Sequence, residues 1–137
     1  MVRMTMKKSY LSIFFALLLA SSAAVASQWV VLDRSTKNPV SVDVESISVE
    51  PHGIIKVWVK TEFTPPVRAG DKRLTYKLVR WTIDCVGHRV ALGPANVYGV
   101  DGRVSAQIQG RDFIDIPPDS LGELVENNVC TKPNIRD

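Results

Sequence analysis

The sequence predicts an α+β domain: about six antiparallel strands, then one C-terminal α-helix, tied by a single disulfide. Three observations point to it. Apolar and polar residues alternate with a period of two along most of residues 28–109. Turn-forming residues interrupt that alternation at intervals too short to hold a crossover helix, so neighbouring strands run antiparallel. The period lengthens to that of a helix only after Pro117 and Pro118.

The first element lies outside this fold. Arg3, Lys7 and Lys8 precede the apolar run Leu11 to Ala20, and Ala24-Val25-Ala26 places small residues where a signal peptidase reads them. That apolar run is about half the roughly 20 residues a membrane span requires. The pattern predicts a secretory signal peptide over residues 1–26 and a single domain over residues 27–137, with no membrane span once the signal is removed. The whole chain carries 17 Lys and Arg against 14 Asp and Glu, but the excess bases are Arg3, Lys7 and Lys8, so the mature chain is balanced. Nucleic-acid binding, which needs clustered positive charge, is therefore not predicted.

In the mature chain, QWVVLDR (28–34) and PVSVDV (39–44) give two short strands around a Lys37-Asn38-Pro39 turn. After Pro51-His52-Gly53, the run IIKVWVKTEF (54–63) alternates fully. Ile55, Val57, Val59, Thr61 and Phe63 share one face; Ile54, Lys56, Trp58, Lys60 and Glu62 share the other. TPPVRAGDKR (64–73) reads as a loop. LTYKLVRWTIDC (74–85) sets Val79, Trp81, Ile83 and Cys85 against Tyr76, Leu78, Arg80, Thr82 and Asp84. Val86-Gly87 suits a tight hairpin into HRVAL (88–92), and RVSAQIQ (103–109) follows an Asp101-Gly102 turn. RDFIDIPPDS (111–120) reads as a second loop. Ser120 and Glu123 then form a capping box, and Leu121, Leu124 and Val125 make a narrow apolar stripe, which predicts a helix over about residues 120–129 leading into Cys130.

Cys85 and Cys130 are the two cysteines of an exported chain. In an oxidising compartment with no odd thiol left over, they read as one disulfide. The competing readings of Cys85-x-x-His88 need more than the sequence supplies. Zinc would require His52 or a carboxylate from a distance, covalent haem needs C-x-x-C-H, and a nucleophile needs a free thiolate. Ser120 lacks the G-x-S-x-G elbow. Asp33, Asp43, Glu45 and Asp84 are scattered over turns and strands and read as solvated acids and turn caps. No phosphate-binding glycine motif is present. The expectation is a protein without enzymatic activity, metal site or cofactor. Trp58 between Lys56 and Lys60 on the wetter strand face has the composition of a recognition patch. The same residues also arise where lysine stems pack over a ring on an ordinary sheet surface, and cover by the helix would remove them from contact.

The mature chain as a whole resembles the surface-adhesin protein E family of Gram-negative bacteria. The resemblance is carried by Trp29, VDVESI (42–47), VWVKTEFTPP (57–66), YKLVRWTIDC (76–85) and PPDSLGELVENNVC (117–130), in that order over about 100 residues. It implies a six-stranded antiparallel sheet with a C-terminal helix, a Cys85–Cys130 disulfide, and a secreted or surface-associated binding protein. It further implies a homodimer as a candidate assembly and extracellular-matrix proteins as partners of some members. No cysteine near the cleavage site offers a lipid anchor, and no lysine-rich patch opens the mature chain, so periplasmic residence stands beside display at the cell surface. The sequence thus predicts an exported, non-enzymatic domain that recognises a protein partner through Lys56, Trp58 and Lys60. A periplasmic carrier of a small ligand or haem, or a scaffold, is the alternative.

Overall fold

The computed structural model describes residues 26–34 and 37–131. Apart from Ala26, the predicted signal segment lies outside the described residues. Seven strands precede one helix: β1 (Trp29–Asp33), β2 (Val40–Glu50), β3 (Ile54–Ala69), β4 (Lys72–Asp84), β5 (Arg89–Gly99), β6 (Val104–Ile108), β7 (Arg111–Asp115) and α1 (Leu121–Val129). They form one antiparallel sheet in the order β1-β2-β3-β4-β5-β6, with β7 also paired to β5. No helix among the described residues is long and apolar enough to cross a membrane.

Of the two segments read as loops, the first is mostly strand and the second is strand over its first half. β3 continues to Ala69 and β4 begins at Lys72. Pro65 and Pro66 are tolerated because they fall in a register shift between Glu62 and Val67, where the ladder asks for no N–H from them. Gly70 turns the chain at a φ of +64°, a conformation that costs glycine little. Residues 111–115 form β7, which takes the edge of β5 that β6 leaves free: β6 pairs with Ala95 to Tyr98 and β7 with Arg89 to Leu92. A side chain at Gly110, between them, would meet the Leu92 carbonyl at 2.5 Å, so the crossing from β6 to β7 requires glycine. All five β7 residues are exposed, which is why alternation could not reveal the strand. β2 and β5 likewise run further than their apolar patterns suggested, to Glu50 and Gly99.

The predicted face of β3 builds the core. Ile55, Val57 and Val59 are buried, with Val40 and Val42 from β2, Val79, Trp81 and Ile83 from β4, and Val90 and Ala95 from β5. α1 adds Val125 and Val129 to the same cluster. The helix contact therefore falls one turn later than expected, since Leu121 is exposed and Leu124 only half-buried. Burying the two valines contributes about 1.5–3 kcal/mol each. Ser120 caps α1 by accepting from the Glu123 N–H at 3.2 Å. The returning arm of the capping box lands one residue early, with the Asp119 N–H donating to Glu123 Oε2 at 2.7 Å.

Cys85 and Cys130 are joined in a disulfide, so both thiols are consumed and the nucleophile reading of Cys85 is closed. The link spans 45 residues and ties the end of α1 to the end of β4. By loop-closure entropy a cross-link of this span contributes about 4 kcal/mol at most. The double variant Cys85→Ala/Cys130→Ala should lose about 2–4 kcal/mol in urea unfolding, and thiol titration of the denatured wild type should find no reactive cysteine.

Candidate functional site

Because α1 covers one face of the sheet, the opposite face stays open. Cross-strand register places the predicted residues there together. Lys56 stands opposite Thr82, Trp58 opposite Arg80, and Lys60 opposite Leu78, while Tyr76 pairs with Glu62 on one side and Tyr98 on the other. Trp58 is half-buried and does not lie under the helix. Its neighbours include residues the sequence reading did not single out. The Arg80 guanidinium lies over the Trp58 ring, 5.9 Å from its centroid. The rings of Tyr76 and Tyr98 are stacked with centroids 4.6 Å apart. Lys60 lies 4.9 Å over the ring of Trp29, not that of Trp58.

Trp58 owes its position to a break in β2. Between Asp43 and Ser48 the β2–β3 register shifts, so the Trp58 N–H loses its ladder partner. Ser46 replaces it: its Oγ accepts from the Trp58 N–H at 2.9 Å and donates to the Asp43 carbonyl at 2.7 Å. Asp43 stands in register between Trp29 on β1 and Trp58 on β3. It is buried, where a solvated acid was expected, and its carboxylate accepts from the N–H groups of Gln28 at 2.8 Å and Glu45 at 3.2 Å. The VDVESI segment is thus the device that bends β2 and fixes two tryptophans.

The two predicted lysines are held by acids of the same surface, Lys56 by Glu50 at 2.6 Å and Lys60 by Glu62 at 3.0 Å. Arg80 is exposed and has no carboxylate partner among the described residues. A shallow groove of about 500 Å³ lies between Lys56, Trp58, Arg80 and Thr82 and the Gly93-Pro94 step of β5. Gly93 lines it without a side chain, and a Cβ there would approach the Arg80 carbonyl to 3.0 Å.

The Cys85 to Arg89 turn is structural. Asp84 is buried and caps it, accepting from the N–H groups of Gly87 at 2.8 Å and Val86 at 3.2 Å and from Arg89 at 2.9 Å. The Gly87 N–H bond, then the Arg89 guanidinium, lower the Asp84 pKa below the ordinary carboxylate value. His88, not Gly87, takes the left-handed backbone, at a φ of 53°. Its Nδ1 lies 2.8 Å from Oε1 of the buried Glu126, joining the turn to α1 beside the disulfide. Asp84, Arg89, His88 and Glu126 are therefore engaged pairwise with one another.

Residues 29–131 match the family model described as surface-adhesin protein E. Among solved structures, a crystal form of Haemophilus influenzae protein E superposes with a TM-score of 0.62 at 14% identity, covering 87% of this chain and 98% of that one. Its selenomethionine form gives 0.56 at 12% identity, with 77% and 88% covered. Protein E from non-typeable Haemophilus influenzae gives 0.53 at 14% identity, with 82% and 81% covered. At this identity the structural matches establish a shared fold. No curated protein is significantly similar in sequence.

Ser46→Ala would orphan the Trp58 N–H and one bond of the Asp43 carbonyl, and should cost about 1–3 kcal/mol in chemical unfolding while raising the accessibility of Trp58 to acrylamide quenching. For Asp84 the lowered folded-state pKa means its charge stabilises the fold above the ordinary carboxylate range of about 4, and that contribution fades as pH falls through the folded value. Asp84→Asn should therefore be less stable than wild type at pH 7, with the gap between urea midpoints narrowing below about pH 4.

Proposed function

The chain belongs to the surface-adhesin protein E family, and from that premise we propose that it is an exported binding protein that recognises a protein partner through its open sheet face. The carrying observation is the placement of Trp58 and its cations on the face that α1 leaves uncovered. Tryptophan and arginine dominate the energetics of protein interfaces because each buries a large, rigid surface and still offers polar contact. Lys56, Trp58 and Lys60 form the contact set, joined by Arg80 and Trp29. Lys56 and Lys60, engaged with Glu50 and Glu62, belong to the rim, while Trp58 is the anchor.

Export by the signal peptide over residues 1–26, which leaves the domain 27–137 in the periplasm or at the cell surface, is part of the proposal. So is a partner of extracellular-matrix type. A homodimer is compatible with this use of the face. The edge strands β1 and β6–β7 carry the exposed residues Val30, Val31, Val104 and Ile108, and pairing there would leave Trp58 accessible.

A pull-down from periplasmic and extracellular fractions tests the reading. A partner retained by the wild-type domain should be lost with Trp58→Ala, at a cost of about 2 kcal/mol or more in binding, while the circular dichroism of the variant matches wild type. Undiminished capture by Trp58→Ala would rule out this face.

A further inference from the structure

We propose that the groove beside Trp58 takes an acidic segment of a partner protein, with the Arg80 guanidinium receiving an aspartate or glutamate side chain and the Trp58 ring an adjoining apolar group. The inference rests on the reading of the open face as the recognition surface and names the chemistry recognised there.

Three features of the groove select this ligand. First, its cations are unequal. Of the two that line it, Lys56 is neutralised by Glu50, whereas Arg80 faces solvent with no acid among the described residues. One positive charge in the lining of the groove is uncompensated, and a single carboxylate compensates it. Second, the guanidinium is organised in advance. It lies over the Trp58 ring, a cation–π contact that limits its rotamers, so less freedom is lost when its planar fork meets the two oxygens of a carboxylate. Third, the wall past Arg80 has no side chain at Gly93 and a rigid ring at Pro94, which leaves an extended segment room to lie across β4 and β5.

The charge balance decides against the other anionic ligands. Glu50 borders the groove and Glu62 lies on the same face, and each is paired with a lysine, so Arg80 carries the one net positive charge of the patch. A polyanion such as a sulfated glycan would bring several negative charges to that single cation. A peptide carrying an isolated acid beside an apolar residue matches it.

Linear peptides displayed on phage, selected on the exported domain and synthesised for titration, test the assignment. Enriched sequences should carry Asp or Glu next to an apolar residue, and their Kd should rise about tenfold or more in Arg80→Gln, as for loss of a charged hydrogen-bonded pair. The wild-type Kd should also rise between 50 and 500 mM salt, as screening requires. Selection that enriches no acidic residue or no sequence at all, binding to Arg80→Gln within twofold of wild type, or preferential binding of a heparin fragment through Arg80 would overturn it. Trp58→Ala separates the two layers. Peptides lost in Trp58→Ala but kept in Arg80→Gln remove the acidic assignment and leave the face reading standing; peptides kept in both remove the two together.

Discussion

The architecture depends on where a nine-residue helix is allowed to rest. A helix of that length does not persist alone in water, and α1 contributes only Val125 and Val129 to the hydrophobic cluster, with Cys130 at its C-cap. The Cys85–Cys130 bond removes the choice of where it docks, since Cys85 follows β4 at the edge of the core and Cys130 closes the helix. The contact between His88 and Glu126 fastens the same corner a second time. With the helix held on the Ile55–Val57–Val59 face, the other side of a sheet rich in aromatic residues is left to water.

A sheet face so exposed has to be built from residues that tolerate both phases. Trp29, Trp58, Tyr76 and Tyr98 are all half-buried, and cations lie over the two tryptophans. Beneath them the polar groups are satisfied locally, Asp43 by backbone N–H groups and Ser46 by bridging Trp58 to Asp43. This satisfaction makes the tryptophan positions rigid. Rigid aromatic surface with a cation at hand loses little entropy on contact, which is how membership of an adhesin family and the geometry of this face bear on one another.

Much of this was legible in the chain. The alternation from Ile54 to Phe63 identified the core face of β3 and so the face of Trp58, because a period of two leaves no ambiguity once one side is aliphatic. The capping box at Ser120 located the helix start, and the compartment argument paired the cysteines. Register was not legible. That Arg80 lies opposite Trp58, and that Lys60 reaches Trp29 and not its own strand neighbour, depends on the bulge in β2 and on hairpin lengths that no local pattern encodes. β7 was invisible because its residues are exposed on both sides and its existence follows from the vacant edge of β5. Asp84 is one of the turn caps the sequence suggested, but its burial and that of Asp43 were not legible, because nothing in a sequence reports that folded chain will close around a carboxylate.

If the helix-free face meets the partner, as proposed, its aromatic residues are shielded in the complex. Hydroxyl-radical footprinting of the protein, free and bound to a captured partner, reads that shielding, since aromatic side chains are the most reactive reporters on that face. Trp29, Trp58, Tyr76 and Tyr98 should be protected on binding, with Leu121 and Leu124 on α1 unchanged. Protection of α1 or of Phe113 on β7, with Trp29 and Trp58 as reactive as in the free protein, would place the partner elsewhere.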